Sequence, residues 1–285
     1  MQKTISSVLF TVLFMSMVSC NLLTVDEEAS DYPTTFPAIE LSELDKMNQE
    51  YQAANDGHIC STLNKYGFTG YSEIFFKNGE SPCANRDVVR VEINQTDSLI
   101  TAAKAALLNN STYTGVNDTS KLMITELLPI NGCTICEGPG LNNVPIELKI
   151  TFAEQRIDSN KVVGTDITVV ADAEGVSRIW GNWYSDFESP DFVNFGYEEV
   201  QSGMVGWQID MRRFTGEEVI YTVQEDDISG KPERVYLPIE NESEQQLEIR
   251  TCWAIPVSYS GNSAFNGWIA YVDIEEGFLV DMRAR

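Results

Sequence analysis

Alternating apolar and polar positions dominate the C-terminal part of the chain. Between residues 247 and 257 every odd position is apolar or nearly so, whereas the even positions include Glu248 and Arg250. This period of two is typical of a β-strand with one buried face. Turn-rich gaps separate this run from the extended runs 234–240 and 266–280. The pattern therefore predicts three successive strands near the C-terminus.

A similar pattern occurs earlier, between residues 144 and 183. Two alternating runs are followed there by a turn and a third apolar run, and the same order precedes residue 280. The two turns read Asp172-Ala173-Glu174-Gly175 and Asp273-Ile274-Glu275-Glu276-Gly277. The likeness leaves two interpretations open, because it fits an internal duplication and also the ordinary recurrence of hairpins in a β-rich protein.

Helical spacing is confined to the first half of the chain. Apolar residues recur every three or four positions in 39–53, and the same spacing follows Asp97 as far as Asn109. These segments predict two amphipathic helices. Further extended runs predict short strands at 71–76 and 88–93.

Two more β segments complete the pattern. The run 121–130 predicts a strand that ends at Pro129, and the runs 206–214 and 217–224 predict a hairpin joined at Thr215 and Gly216. Together the elements predict an α+β protein, in which one or two helices pack on an antiparallel sheet. We place an N-terminal α+β half with cysteine-rich loops at 39–184 and a β-rich half at 185–285.

The C-terminal segment resembles a PepSY module, the type of domain also found at the end of the propeptides of thermolysin-like metalloproteases. An aromatic-rich strand there runs into an aspartate, a short turn with glycine and a final apolar strand. The matching positions are Trp268, Tyr271, Val272, Asp273, Gly277 and Leu279. Such modules are regarded as protease-inhibiting or protein-binding domains, so the resemblance implies a binding role rather than catalysis. Together with the earlier pattern at 144–183, it leaves open an arrangement of two PepSY-like halves.

The net charge excludes one class of partner. The 285 residues include 43 acidic and 19 basic side chains, which gives a formal charge of −24. A nucleic-acid-binding protein presents a basic face, so we expect no nucleic-acid partner. The ordinary effect of such acidity is solubility through self-repulsion.

The N-terminus predicts export. Residues 1–20 combine Lys3, an apolar run and the small residue Ser19 before Cys20. This arrangement resembles a bacterial lipoprotein signal, which implies that Cys20 is lipidated and anchors the protein to a membrane of the cell envelope. An ordinary secretory signal is the alternative, and the apolar run is too short for a spanning helix. The acidic stretch 21–38 predicts a flexible tether.

Four further cysteines are interpreted as two crosslinks. An exported chain favours a Cys60–Cys83 disulfide and a Cys133–Cys136 disulfide. For the second pair, a redox site and a metal site are alternatives, although the nearby glycines and Pro139 oppose the helix that a thioredoxin-type site needs. Cys252 has no evident mate in the chain, so it is unpaired or paired between chains, or it is simply a small buried residue.

No catalytic motif is present, and the single histidine, His58, argues against triad or histidine-rich metal chemistry. We therefore expect a non-enzymatic protein without cofactor or metal, which binds another envelope or secreted protein. The candidate binding residues are Trp253, Trp268, Tyr271 and Asp273. Tryptophans also serve as core residues and aspartates also hold turns. An exported thiol protein that uses Cys133 and Cys136, or a structural envelope lipoprotein, is the alternative function.

Overall fold

Two β-sheets contain most of the strand residues of the protein in a computed structural model, which describes residues 32–285 apart from 80–81, 84–91, 186, 188, 191, 232 and 262–264. Tyr32–Arg285 form one compact unit. The predicted signal with Cys20, the first part of the predicted tether and most of the predicted strand 88–93 lie outside the described residues.

The smaller sheet is antiparallel and has four strands. In spatial order they are β4 (Met123–Gly132), β5 (Val144–Ala153), β8 (Asp166–Asp172) and β9 (Gly175–Asn182). The alternation noted in the sequence matches β5, β8 and β9. Strand β4 runs on through Pro129 to Gly132, so the predicted stop at that proline is wrong. Proline lacks an N–H, and an edge strand tolerates the loss of one ladder bond.

The larger sheet has seven strands and contains the three predicted C-terminal runs. The strands, in spatial order, are β15 (Leu279–Ala284), β14 (Gly267–Asp273), β13 (Gln246–Ser258), β12 (Glu233–Asn241), β7 (Asn160–Val162) and β6 (Arg156–Ile157), and β1 (Thr34–Pro37) also pairs with β13. The pairing of β7 with β12 is parallel and the others are antiparallel. Strand pairing therefore crosses the boundary predicted between 184 and 185.

Smaller elements connect the sheets. Two short hairpins pair β2 (Thr62–Leu63) with β3 (Thr69–Gly70) and β10 (Gln208–Asp210) with β11 (Ile220–Thr222). The helices are α1 (Leu41–Ala54), α2 (Glu73–Asn78), α3 (Thr96–Asn109), α4 (Ser111–Thr114), α5 (Tyr197–Met204) and α6 (Arg212–Thr215), with short 3-10 turns at Thr119–Lys121 and Glu225–Asp227. The fold is α+β, as the periodicity predicted.

One face of the smaller sheet carries the first core. Helix α3 packs over β5, β8 and β9, and its buried residues Leu99, Ala103 and Leu107 are among those that the helical spacing placed on its apolar face. Helix α1 adds Leu44 and Tyr51 to the same cluster. The inward residues of the strands, such as Ile150, Phe152, Ile167 and Val169, are fully buried. Burial of these apolar surfaces against one another is the main stabilising term for this layer.

The larger sheet is covered on both faces, which differs from the single buried face that the sequence predicted for β13. Ile255 and Val257 join one cluster, whereas Cys252 and Ala254 lie in another cluster across the strand. Cys252 is fully buried and is not in a disulfide, so the interpretation as a small buried residue holds. Burial, the first cause, together with the negative charge of Asp273, raises the pKa of its thiol.

The chain before α1 belongs to the larger sheet. Strand β1 pairs with Gln246–Ile249 of β13, and β14 pairs with β13 from Cys252 onward. Because β12 occupies the opposite side of β13 from Gln246 to Ala254, which includes residues paired with β1 and with β14, these two strands lie on the same side, one beyond the other. The prediction of a flexible tether over 21–38 is therefore wrong for Thr34–Pro37, which form β1.

Tyr32 fills the gap between β1 and β14. Its hydroxyl donates to Oδ2 of Asp273 at 2.7 Å and accepts a hydrogen bond from the N–H of Thr251 at 2.9 Å. Burial, and then the hydrogen bond to the Asp273 carboxylate, raise the pKa of Tyr32. The hydroxyl therefore stays protonated and satisfies a backbone group that would otherwise lack a strand partner.

Arg250 completes this cluster from β13. Its guanidinium donates to Oδ2 of Asp273 at 3.0 Å, to Oε2 of Glu276 at 2.6 Å and to Oε2 of Glu248 at 2.7 Å. Burial alone would lower the pKa of Arg250, but the three carboxylates outweigh burial and raise it. Burial by itself would raise the pKa of Glu248, but hydrogen bonds from Asn241, Gln246 and Arg250 outweigh burial and lower it. Arg250 and Glu248 therefore form a charged pair at neutral pH.

One predicted strand is a helix. Residues 71–76 were expected to be extended, but Glu73–Asn78 form α2. The Ser72 hydroxyl accepts a hydrogen bond from the N–H of Phe75, and Gly79 ends the helix with φ of +70°. A serine cap and a left-handed glycine are the local signals for helix ends, and they outweigh the apolar character of the segment.

We expect Tyr32→Phe to lower the free energy of unfolding by about 1–3 kcal/mol. The substitution removes one hydroxyl and leaves the interior oxygen of Asp273 and the N–H of Thr251 with one partner fewer. Urea denaturation followed by circular dichroism measures the change. Tyr71, whose ring is 42% exposed, gives the matched control, and Tyr71→Phe should cost less than about 0.5 kcal/mol. Equal losses in the two variants would contradict this role of the Tyr32 hydroxyl.

Candidate functional site

The residues predicted to bind a partner lie mainly inside the protein. Trp268, Tyr271 and Asp273 are almost completely buried, and burial excludes them from an exposed contact surface. Trp253 is partly buried, and its indole N–H donates to the carbonyl of Phe195 at 2.9 Å. Trp268 is a core residue, which was the alternative interpretation of the tryptophans. Its ring stacks with that of Phe214 at a centroid distance of 5.8 Å.

The two aspartates of the repeated turns accept hydrogen bonds from backbone N–H groups. Oδ1 of Asp172 accepts hydrogen bonds from the N–H groups of Glu174 and Gly175, at 3.0 and 3.2 Å. Oδ1 of Asp273 accepts from Glu275 and Glu276, at 2.8 and 2.9 Å. Both carboxylates are fully buried. Each therefore has a structural role in its turn, which is the ordinary role of an aspartate at such a position.

Both predicted disulfides are present. Cys60 is bonded to Cys83, and Cys133 is bonded to Cys136. The second pair closes a loop directly after β4, and the Asn142 side chain holds this loop by accepting hydrogen bonds from the N–H groups of Thr134 and Ile135. The two cysteines do not stand at the start of a helix, which is the position that they occupy in thioredoxin-type sites.

Strand β13 offers no exposed edge to a partner over the stretches where it is paired on both sides. It lies between β12 and β14, and Pro256 is paired with Ile269 inside the sheet. A free edge occurs instead in the smaller sheet. Within the described residues β4 pairs with β5 alone, and the seven residues from Met123 to Pro129 are all exposed.

The free edge of β4 is unusually apolar. Met123, Leu127 and Leu128 are 48%, 44% and 47% exposed, and Ile124 is 37% exposed. Water-exposed edge strands usually carry charged side chains that discourage pairing with other chains. We call the segment 123–128 the β4 edge. Sequence analysis found this strand but not its exposure, although the run of apolar residues at both odd and even positions was visible.

The apolar side chains of the β4 edge lie on both faces of the sheet. Directly opposed residues of an antiparallel pair share a face. Ile124 and Leu127 oppose Phe152 and Ile150, so they continue the face that carries the helices. Met123 and Leu128 oppose Ala153 and Lys149 and lie on the outer face. Apolar residues on both faces are typical of strands that are covered on both sides.

The charge within the β4 edge is compensated. Its single ionisable residue, Glu126, accepts a hydrogen bond from Nζ of Lys149 at 2.5 Å. This hydrogen bond, the first cause, and the positive charge of Lys149 lower the pKa of Glu126. The edge is therefore close to neutral on a protein whose formal charge is −24.

Two adjoining clefts beside Tyr184 are among the concave features of the described residues. The larger, of about 440 Å³, is lined partly by the rings of Phe36, Tyr66 and Phe68, and the smaller has about 260 Å³. The Gln155 amide contacts the backbone N–H and carbonyl of Tyr184. Because this amide is already used to hold the chain, it contributes little to recognition of a ligand.

Two further observations bear on chemistry and location. The part of the chain that the structure describes contains no group of three or more Asp, Glu, His or Cys side chains placed to hold a metal ion. In the same residues, no helix is both long and apolar enough to cross a membrane.

Comparisons with known proteins give weak structural similarity and no sequence match. No protein-family model and no curated protein matches the chain. Among solved structures, the Bacillus megaterium YpeB C-terminal domain matches with 10% sequence identity, coverage of 87% of this chain and 98% of that chain, and a TM-score of 0.29. A match at this TM-score does not define the fold of this chain.

Thiol titration tests the arrangement of cysteines. In the chain carrying Cys20→Ser, we expect no thiol to react in the native protein and one thiol per chain to react in denaturant without reductant. The reason is that Cys252 is buried and the other four cysteines are in disulfides. Reaction of two thiols in the native, unreduced protein would show that Cys133 and Cys136 are reduced and would favour a thiol-based activity.

Proposed function

We propose that this protein is an exported, lipid-anchored module that binds another envelope or secreted protein and has no catalytic role. The observation that carries the proposal is the β4 edge, an exposed strand segment with apolar side chains on both faces. Edge strands of this kind add an extended segment of a partner by β-augmentation, in which the backbone provides hydrogen bonds and the side chains provide specificity.

Export is supported independently of the edge. Two disulfides are typical of proteins that mature in an oxidising compartment. The lipoprotein-like signal and Cys20 point to the same location. On this proposal the protein faces the periplasm or the cell exterior, and its contact with the membrane is made through the lipid.

The PepSY resemblance supports the class of function. The residues that carry it form β14, the turn after Asp273 and β15, in the order that the resemblance implies. We propose a PepSY-like C-terminal part on this basis, and a protease-modulating role as its narrower form. The partner surface, however, is assigned to the β4 edge, because the PepSY residues Trp268, Tyr271 and Asp273 are buried.

The lipid anchor is tested at Cys20. Replacing Cys20 with Ser should move the protein from the membrane fraction to the soluble fraction, since lipidation requires the cysteine sulfur. Mass spectrometry of the wild-type N-terminus should show an acylated cysteine. A Cys20→Ser protein that remains in the membrane fraction would contradict the anchor and leave an ordinary secretory signal or another attachment.

Partner binding is tested at Leu127. A lysine at this position places a charge within the β4 edge, so capture of a partner from an envelope extract should fall by at least about tenfold, which is the effect of roughly 1.4 kcal/mol. Ile220→Lys is the matched control, because Ile220 is also exposed, at 59%, but lies on β11. Crosslinking followed by mass spectrometry should place the partner beside 123–128.

The two variants separate the outcomes. Circular dichroism and urea denaturation should show that both variants are folded. Unchanged capture by a folded Leu127→Lys protein would exclude the β4 edge as the binding surface. Loss of capture in both variants would indicate a nonspecific effect of positive charge and would equally contradict the assignment.

A further inference from the structure

We propose that the β4 edge pairs in an antiparallel manner with the β4 edge of a second copy of this chain, around a twofold axis. The four-stranded sheets of the two copies then join into one continuous sheet of eight strands. This inference rests on the proposed function and narrows it, because the envelope protein that occupies the β4 edge is then a second copy of this chain.

The β4 edge is complementary to a second copy of itself. Consider the antiparallel register in which Met123 of one copy opposes Leu128 of the other. Ile124 then opposes Leu127, and Thr125 opposes Glu126. Met123 and Leu128 both lie on the outer face, whereas Ile124 and Leu127 both lie on the face that carries the helices. Apolar residues therefore meet apolar residues on both faces, and such cross-strand pairs stabilise a sheet.

The local charge of the β4 edge also favours this pairing. In this register each Glu126 opposes Thr125 of the other copy, so no two carboxylates are directly opposed. The carboxylate of Glu126 is already paired with Lys149 of its own copy. A basic segment of another protein would find little local negative charge at the edge, whereas a neutral, apolar strand fits it. These features favour a second copy over a basic partner.

A twofold contact between β4 edges gives a closed dimer and does not grow into a larger assembly. A twofold contact uses the same patch on both copies, so it consumes the free edge and leaves none for further addition. Pro129 supplies no N–H for pairing, and the strand has an irregularity between Ile124 and Glu126. Prolines and bulges limit open-ended association at sheet edges. The pairing is thus confined to a short segment and ends at a dimer.

Long-range charge gives the dimer a characteristic dependence on salt. Two copies that each carry a formal charge of −24 repel one another. Salt screens this repulsion, with a Debye length of about 10 Å at 0.1 M and about 3 Å at 1 M, while the apolar contacts persist. Self-association should therefore tighten as salt is added, whereas attraction between the acidic protein and a basic segment should weaken.

Sedimentation equilibrium of the full chain carrying Cys20→Ser tests the inference. We expect a monomer–dimer equilibrium whose dissociation constant falls as the salt is raised from about 0.05 to about 0.5 M. Leu127→Lys should raise the dissociation constant by at least about tenfold, and Ile220→Lys should leave it within about twofold.

Cysteine pairing tests the register directly. On mixing Met123→Cys with Leu128→Cys protein, oxidation should give a crosslinked dimer of the two variants, since these positions are opposed. Oxidation of Met123→Cys protein by itself should give little dimer. Positions 123 and 128 of one strand are five residues apart, about 16 Å, so a bridge between them must join two chains.

Three results would overturn the inference. These are a monomer at all concentrations, a dimer that Leu127→Lys does not weaken, and association that tightens as salt is removed. Failure of the dimer is distinct from failure of the proposed function. A monomeric protein that captures another protein, and loses it in Leu127→Lys but not in Ile220→Lys, would keep the β4 edge as a docking surface and assign it to a different partner.

Discussion

The larger sheet depends on a carboxylate that is fully buried. Asp273 lies at the end of β14, where Tyr32, Arg250 and the following turn meet. A carboxylate withdrawn from water is tolerated only when hydrogen bonds and a countercharge compensate its lost hydration. Oδ1 takes two N–H groups of the turn, and Oδ2 takes the Tyr32 hydroxyl and the Arg250 guanidinium. The burial of one side chain thus fixes three distant segments together.

The corresponding turn of the smaller sheet uses the same device with different partners. Asp172 is equally buried and accepts hydrogen bonds from two N–H groups of its turn, and Nε2 of His58 lies 3.9 Å from its Oδ1. His58 is two residues from Cys60, so the disulfide-linked loop is positioned at this turn. Aspartate-headed turns arise wherever a chain reverses tightly. The shared turn is therefore explained by local chemistry, and the question of duplication stays open.

Periodicity predicted the elements well and their arrangement less well. Helices α1 and α3 and strands β5, β8, β12, β13 and β14 follow from apolar spacing, which depends on neighbours along the chain. The hydrogen bond between Tyr32 and Asp273 joins residues 241 positions apart. The spacing of apolar residues along the chain cannot predict such a contact. The order of strands in a sheet is non-local for the same reason. Sequence analysis consequently chose Trp268 and Asp273 as binding residues, whereas their apolar or hydrogen-bonded surroundings bury them.

The same reasoning explains why β4 is the most informative strand for function. Its apolar residues at both odd and even positions would be ordinary in a central strand, where both faces and both edges are covered. At an edge they leave apolar surface and unpaired backbone groups in water, which costs solubility unless another segment covers them. A lipid anchor, as proposed, confines copies and partners to one membrane surface and raises their effective concentration. A short edge contact is then favoured at the membrane, while Pro129 and the irregularity between Ile124 and Glu126 limit open-ended pairing.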